Sequence, residues 1–283
     1  MHFFRPTTRR SFVAGLLAIG LLGVASGTVA AQPPVADQVG RAQITGSGTR
    51  EAQRNPAKST RGFDISYPQC GSPYPAKPAF GIVGVNGGRP YVAGNPCLAS
   101  QLAWGGREKA ELYINTANPE PAQSSFWPTG KTSPRYCDPT APNSADCSYD
   151  YGWYAAADSF AKAQQAYGQL AIAVSPVATF WWLDVETTNS WQANATNNVA
   201  VLQGEVDYLR SIGVTKIGFY STTVQWNQIT GSSRAFAAYP SWGAGAPSES
   251  AARTHCTSTP GFTGGRLALV QYPYAGFDAD LGC

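Results

Sequence analysis

Ionisable residues are scarce in this 283-residue sequence, where charged residues make up 13% and there are two histidines and one methionine. The apolar run from Val13 to Val24 is shorter than the about 20 residues that a membrane-spanning helix needs. Beyond residue 31, basic and acidic residues balance at 17 each. This neutral balance gives no reason to expect binding to nucleic acid or to an anionic membrane surface.

Metal-ligating patterns are also missing. There is no Cys-x-x-Cys, and His255 is the one histidine beyond residue 31. The spacing of the acids does not match a calcium-binding loop, and no phosphate-cradling glycine loop is present. We therefore expect no metal and no cofactor.

The first 31 residues have the pattern of an export signal. Residues 8–13 read Thr-Arg-Arg-Ser-Phe-Val, a twin-arginine pattern, and Val29, Ala30 and Ala31 supply the small residues of a cleavage site. We predict a twin-arginine signal peptide over residues 1–31, a mature chain that begins near Gln32, and a protein that is secreted or held in the cell envelope. Residues 32–60, which are rich in proline, alanine, glycine and polar residues, are predicted to be a flexible linker.

Six cysteines make an even count, which favours three disulfides in an exported protein. Fifteen connectivities are possible, and we predict the sequential one. The pairs would be Cys70 with Cys97, Cys137 with Cys147, and Cys256 with Cys283.

Strand-like and helix-like segments alternate over residues 61–283, which predicts a single α/β domain folded as an irregular, TIM-like β/α barrel with a parallel sheet. Strands are predicted at 62–66, 80–86, 110–115, 178–186, 216–221, 235–242 and 267–272. Helices are predicted at 98–104, at 153–168, and from a cap at Thr196 to Gly213. The polar stretch at 118–151 is predicted to be a long excursion pinned by Cys137 and Cys147.

The most informative motif is a pair of acids at the end of the apolar run Phe180–Glu186. Positions i and i+2 of a strand point to the same side, so Asp184 and Glu186 are expected to share one pocket at a strand end, where barrels place their chemistry. If the first and last strands of the barrel are neighbours, Asp64 and Asp278 meet at the same mouth. Four clustered acids cannot all ionise cheaply, so one is expected to keep a proton, as glycosidic bond cleavage requires. A structural role remains the alternative for each acid.

Four motifs in order resemble glycoside hydrolase family 25, the Chalaropsis-type lysozymes, and the related glycoside-hydrolase-like barrel domains of exported actinobacterial proteins. They are Gly-Phe-Asp-Ile-Ser-x-x-Gln (62–69), Trp-Leu-Asp-Val-Glu (182–186), Gly-Phe-Tyr-Ser (218–221) and Val-Gln-Tyr (270–272) leading to Asp278. The third predicted strand, Leu-Tyr-Ile-Asn-Thr (112–116), departs from the family pattern, as does Leu-Val before Gln271.

The resemblance implies a peptidoglycan hydrolase that cleaves the β-1,4 bond between N-acetylmuramic acid and N-acetylglucosamine. It implies Glu186 as the proton donor, Asp184 as the acid that stabilises an oxocarbenium-like centre, and Asp64 and Asp278 as cleft carboxylates. Residues expected to bind substrate are Tyr113, Asn115, Tyr220, Trp191, Trp226 and Gln271. We expect a monomer whose partner is peptidoglycan or a related wall glycan, with no nucleic acid partner and no membrane contact after signal cleavage.

Two alternatives remain at this point. The barrel could be a module that binds cell-wall glycan without cutting it. An ester or peptide hydrolase would instead use Ser66 or Ser221 with His255, although no nucleophile-elbow sequence accompanies these residues.

Overall fold

The computed structural model describes residues 61–76, 78–91 and 93–283. The predicted signal peptide and linker lie outside these residues. Eight strands form a closed barrel in the order β1 to β8. They are β1 (Arg61–Ile65), β2 (Gly81–Gly84), β3 (Glu111–Asn115), β4 (Trp181–Asp184), β5 (Ile217–Ser221), β6 (Ser241–Gly243), β7 (Leu267–Tyr274) and β8 (Phe277–Gly282). The helices are α1 (Leu98–Trp104), α2 (Ala145–Gln169), α3 (Ala195–Ser211), α4 (Thr223–Thr230) and α5 (Glu249–Ser258).

The predicted barrel is confirmed, but the sheet is not wholly parallel. Strands β1 to β7 pair in parallel with their neighbours, whereas β8 is antiparallel to both β7 and β1. Only Ala275 and Gly276 link β7 to β8, and both have positive φ angles, as a tight hairpin turn requires. So short a link cannot make a parallel crossover. As a result β8 begins at the mouth where the parallel strands end.

Bulky side chains fill the barrel. Ile82, Trp182, Trp242 and Leu269 are buried together as one cluster, with Tyr113 and Tyr220 packed against it. The Trp182 and Trp242 rings meet edge to face, with centroids 5.7 Å apart. The interior is therefore a packed core that leaves room for a ligand only near its rim.

Outside the barrel, α2 and α3 pack against each other at unusually close range. A Cβ on Gly152 would lie 2.0 Å from the carbonyl oxygen of Val201, and one on Gly204 would lie 2.0 Å from that of Tyr149. Glycine at both positions lets the two helix backbones touch. The pair covers β4, where Phe160 packs on Trp181 with ring centroids 5.7 Å apart.

Several predicted boundaries need correction. The excursion ends at Ser144, which caps α2 by accepting a hydrogen bond from the Cys147 N–H, so the helix begins eight residues before the predicted start. The cap of α3 is Asn194, whose side chain accepts from the Thr196 N–H, and not Thr196. The predicted strand at 235–242 shrinks to β6, and α4 and α5 were not predicted. The helix at 98–104 is confirmed.

The three disulfides join the cysteines in sequential order, as predicted. Their Cα atoms lie 5.6 Å apart in Cys70–Cys97, 4.4 Å in Cys137–Cys147 and 5.0 Å in Cys256–Cys283. Cys256–Cys283 ties α5 to the end of the chain beside β8. Each bridge restricts the unfolded chain, which typically stabilises a domain by about 2–4 kcal/mol. Within the described ranges, no helix combines the length and apolar character needed to cross a bilayer.

Candidate active site

A cleft of about 250 Å³ opens at the mouth where the parallel strands end. Carboxylates and aromatic rings line it: Asp64, Tyr113, Asp184, Glu186, Tyr220, Trp242, Gln271 and Asp278. All four acids that the sequence analysis singled out lie here. The closed barrel brings them together because the end of β4 and the residues just after it supply two of them and the β1–β8 pair supplies the other two.

Asp184 is the last residue of β4 and is buried, with 4% of its surface exposed. The Asn115 amide donates to Asp184 Oδ2 at 2.6 Å, and the Thr116 hydroxyl donates to its main-chain carbonyl at 2.5 Å. Oδ1 has no hydrogen-bond partner among the described residues. Burial, and then the charge of Glu186, hold the pKa of Asp184 well above its ordinary value.

Glu186 follows two residues later and points into the same cleft, as the strand spacing predicts. It is half-buried. The Trp191 indole donates to the Glu186 carbonyl oxygen at 2.7 Å, so the backbone is held just where the strand ends. Burial, and then the nearby Asp278, raise the pKa of Glu186.

Asp64 and Asp278 are directly opposite residues of the β1–β8 pair. The Gln271 amide donates to Asp64 Oδ2 at 2.9 Å, and the Tyr220 hydroxyl donates to Gln271 Oε1 at 2.9 Å. Burial, followed by repulsion from Asp278, raises the pKa of Asp64 from 3.8 to about 7. At neutral pH Asp64 is therefore about half protonated.

The barrel that carries these four acids is similar to known lysozymes. Residues 154–254 match the family model described as Lysozyme-like protein 1. The chain is 35% identical over 64 residues to a probable GH family 25 lysozyme 5 of Dictyostelium discoideum, an alignment that spans 22% of this chain and 30% of that relative.

Two solved structures align over most of the barrel. A muramidase from Trichobolus zukalii has 18% identity and a TM-score of 0.50 over 80% of this chain and 94% of its own. A family GH25 lysozyme from Aspergillus fumigatus has 16% identity and a TM-score of 0.50, with the same coverage of both chains. The fold is that of the GH25 lysozymes. At these identities the likeness establishes the architecture.

The sequence analysis did not single out one further acid of this GH25-type barrel. Asp280 is fully buried on β8, and the Trp242 indole donates to its Oδ1 at 2.8 Å. Burial holds the pKa of Asp280 well above normal. Asp280 also hydrogen-bonds Asp64, and this bond lowers the pKa of Asp64 and raises that of Asp280. Two carboxyl groups can share a hydrogen bond only through a proton, and burial favours that proton on Asp280 because Asp280 is fully buried whereas Asp64 is partly exposed.

Two of the GH25-type barrel's aromatic residues were expected to bind substrate and do not line the cleft. Trp226 is fully buried on α4, packed against Phe219 and Phe236, so its predicted contact with substrate is wrong. Trp191 is half-buried against the core, and its indole hydrogen bond to the Glu186 carbonyl oxygen holds the backbone of Glu186 in place. Three of the other residues expected to bind substrate line the cleft: Tyr113, Tyr220 and Gln271. Asn115 contacts the cleft through its hydrogen bond to Asp184.

The serine-hydrolase alternative finds no support in this arrangement. Ser221 is fully buried, and its hydroxyl donates to the Val185 carbonyl at 2.8 Å, so it is not available as a nucleophile. Ser66 is buried too, and its hydroxyl hydrogen-bonds the Tyr113 side chain. His255 lies on α5 next to the Cys256 disulfide, away from the residues that line the cleft.

Proposed function

We propose that the protein is a muramidase that hydrolyses the β-1,4 bonds of peptidoglycan. The observation that carries the proposal is the pair of acids in the cleft. Glu186 is half-buried and has a raised pKa, and it lines the cleft beside Asp184, which is almost fully buried. Glycosidases need such a pair, with one carboxyl protonated and the other able to stabilise positive charge.

In this mechanism Glu186 donates its proton to the glycosidic oxygen as the bond to the sugar breaks. Burial and the neighbouring Asp278 disfavour the charged form of Glu186 and so raise its pKa. Asp184, which accepts the Asn115 amide hydrogen bond, supports the oxocarbenium-like centre or the N-acetyl group that assists it. The Asn115 hydrogen bond favours the charged form of Asp184 and so opposes the burial that raises its pKa.

Asp64 and Asp278 form the opposite wall of the cleft. Gln271 and Tyr220 hold Asp64 through a chain of two hydrogen bonds, which fixes the position of its carboxylate without adding charge. We infer that this pair binds sugar hydroxyl groups and that the charge of Asp278 favours the protonated form of Glu186. The Tyr220 ring, which packs on the buried Trp242 ring with centroids 4.5 Å apart, lines the cleft where a sugar would lie.

We also propose that the enzyme acts outside the cytoplasm, on wall glycan, as a monomer. Three disulfides within one domain support an oxidising compartment. The twin-arginine pattern in residues 8–13 supports the same placement.

The test is release of reducing ends from purified peptidoglycan by the oxidised protein. We expect Glu186→Gln to lower kcat by about a hundredfold or more, the usual contribution of a general acid. Glu108→Gln is the matched control, because it removes the same charge from an exposed residue at the other end of the barrel, before β3. If both the wild type and Glu186→Gln bind the glycan but release nothing, the protein is a binding module and the proposal fails.

A further inference from the structure

A second cavity of about 240 Å³ lies at the same mouth of the barrel, among the loops that follow β2, β3 and β4. Arg89, Phe126 and Thr188 are among the residues that line it, and each comes from a different loop. None of these residues takes part in the acid cleft. The cavity is smaller than the 300–1,000 Å³ typical of drug-sized ligands, so it suits a fragment of a larger substrate.

One loop separates the cavity from the cleft. Glu186 faces the cleft, whereas Thr188, Asn189 and Ser190 line the cavity. This loop is fixed at both ends, since the Asn189 N–H donates to the Glu186 carbonyl at 3.2 Å and the Asn118 N–H donates to the Ser190 carbonyl at 2.8 Å. Three residues of chain span at most about 11 Å. A branched ligand could therefore occupy both sites at once.

The other wall of the cavity comes from the excursion after β3, which is anchored at several points. The Trp127 indole donates to the Pro142 carbonyl at 2.8 Å, and its ring stacks on Tyr151 with centroids 5.1 Å apart. The Cys137–Cys147 disulfide ties the far end of the excursion to the first turn of α2. The wall is thus preformed, which lowers the entropic cost of binding.

The lining has one charge and several unused polar groups. Arg89 is the one charged residue among those that line the cavity, it is exposed, and no acid pairs with it in the described part of the chain. Thr188 and Ser125 are exposed there, and the Asn189 amide nitrogen, which is buried in this structure, has no acceptor among the described residues. An Arg fork matches a carboxylate, and amide and hydroxyl groups match a peptide backbone.

An apolar platform completes the lining. The Phe126 ring is 52% exposed and stacks flat on Tyr91, with centroids 4.6 Å apart and an angle of 6° between the planes. Tyr91 donates its hydroxyl to the Tyr151 carbonyl at 3.2 Å, which holds the stack in place. A rigid, exposed ring of this kind provides contact area for aliphatic side chains at low entropic cost.

We propose that this cavity binds a carboxylate-bearing peptide branch of the glycan whose backbone lies in the acid cleft. Arg89 pairs with the carboxylate, the polar groups around Asn189 bond the peptide amides, and Phe126 packs on a short aliphatic side chain. The inference rests on the proposed function, because it takes the cleft to hold a glycan. It adds that the enzyme selects strands that still carry their peptides.

The first test compares two substrates, intact peptidoglycan and strands from which an amidase has removed the peptides. We expect Arg89→Gln to raise KM for the peptide-bearing strands about tenfold and to leave kcat within twofold, because a charge-assisted contact that is made equally in the ground and transition states affects binding alone. KM for the bare strands should not change. Arg107→Gln, at the opposite end of the barrel, is the matched control and should behave as wild type.

Removing the peptide frees a carboxylate on the sugar of the bare strands, so the same comparison separates the two sources of charge. If Arg89→Gln raises KM for the bare strands and not for the peptide-bearing strands, Arg89 binds the sugar carboxylate and the peptide assignment is overturned. An equal rise for both substrates would mean that Arg89 binds the glycan backbone, which also overturns the assignment. Unchanged KM for both substrates overturns the binding site altogether.

A second test needs no turnover and therefore separates this inference from the muramidase proposal. Calorimetry would measure the binding to Glu186→Gln of a short wall-type tetrapeptide with free carboxylates and of the same peptide fully amidated. We expect the free form to bind at least tenfold more tightly, and Arg89→Gln in the same background to remove that difference. Equal binding of the two peptides, or no binding of either, would contradict the proposal even if the enzyme cuts glycan.

Discussion

Asp280 shows how one buried proton can organise the cleft. It accepts from Trp242 on one oxygen and meets Asp64 with the other, so a neutral Asp280 satisfies both neighbours. Asparagine offers the same two interactions without a titratable proton, because its carbonyl accepts and its NH₂ group donates.

We therefore expect Asp280→Asn to keep activity and to change the free energy of unfolding by no more than about 1 kcal/mol at pH 5. Asp280→Ala removes both interactions and leaves a cavity, so it should cost about 2 kcal/mol or more. Urea unfolding of both variants at pH 5 checks this. Equal losses in the two variants would show that the hydrogen bonds do not matter.

Asn115 is the second residue whose role can be isolated. Its amide donates to Asp184 and so favours the charged form of that acid. Asn115→Ala should raise the pKa of Asp184 further, which moves the acidic limb of the kcat profile to higher pH. A profile measured from pH 4 to 8 tests this, and a lower kcat with unmoved limbs would mean that Asn115 serves structure alone.

At the scale of single residues, the sequence predicts the acids well and the aromatics poorly. Strand alternation places Asp184 and Glu186 on one side, and barrel closure pairs Asp64 with Asp278. Trp226 was misjudged because a position after a strand end does not reveal which face of the following helix turns inward. Asp280 was not singled out because no local pattern shows that the last strand runs antiparallel and buries it.

Among the elements, the α2–α3 pair depends most on specific residues. An alanine at Gly204 would place its Cβ 2.0 Å from the Tyr149 carbonyl oxygen, which neither backbone can avoid without moving apart. We expect Gly204→Ala to cost at least about 2 kcal/mol of unfolding free energy.

Gly168, near the end of α2, provides the control for this substitution. A Cβ there meets nothing within 4 Å, so Gly168→Ala should be neutral or should stabilise by up to about 1 kcal/mol. Chemical denaturation of the two variants makes the comparison. Similar stabilities would mean that the helices can separate at little cost.

Prediction of elements from sequence succeeded where an apolar pattern was long or a strand was wholly buried. Strand β4 and helix α3 are examples. Helix α5 was missed because Ala252 is its single buried residue, and α4 because its eight residues show little periodicity and Val224 is 73% exposed. Their positions follow from the barrel, which needs a covering segment between successive parallel strands.

Across the whole molecule, buried acids make the stability depend on pH. Burial raises the pKa of Asp184, Asp280 and Glu205 well above normal, and that of Asp64 to about 7. Glu205 lies on α3, and neither of its oxygens has a hydrogen-bond partner among the described residues. Each of these acids binds its proton more tightly in the folded chain than in the unfolded chain.

Their contribution to stability is therefore complete below about pH 4 and is lost as the pH rises through the pKa values of the folded state. For Asp64 this loss falls between its ordinary pKa of 3.8 and its folded-state pKa of about 7. We expect the Tm to fall by about 5 °C or more between pH 5 and pH 8. Combining Asp280→Asn with Glu205→Gln should flatten this dependence. Scanning calorimetry across the range tests it, and a Tm that rises with pH would contradict the raised pKa values of these buried acids.

The most direct measurement of the central claim is the identity of the new chain end. Peptidoglycan digested by the protein, reduced with borohydride and hydrolysed should yield the alcohol of N-acetylmuramic acid above background, and the Glu186→Gln digest should not. Reduced N-acetylglucosamine instead, or no reduced sugar from a wild-type protein that binds the glycan, would contradict a muramidase that uses Glu186 as its acid.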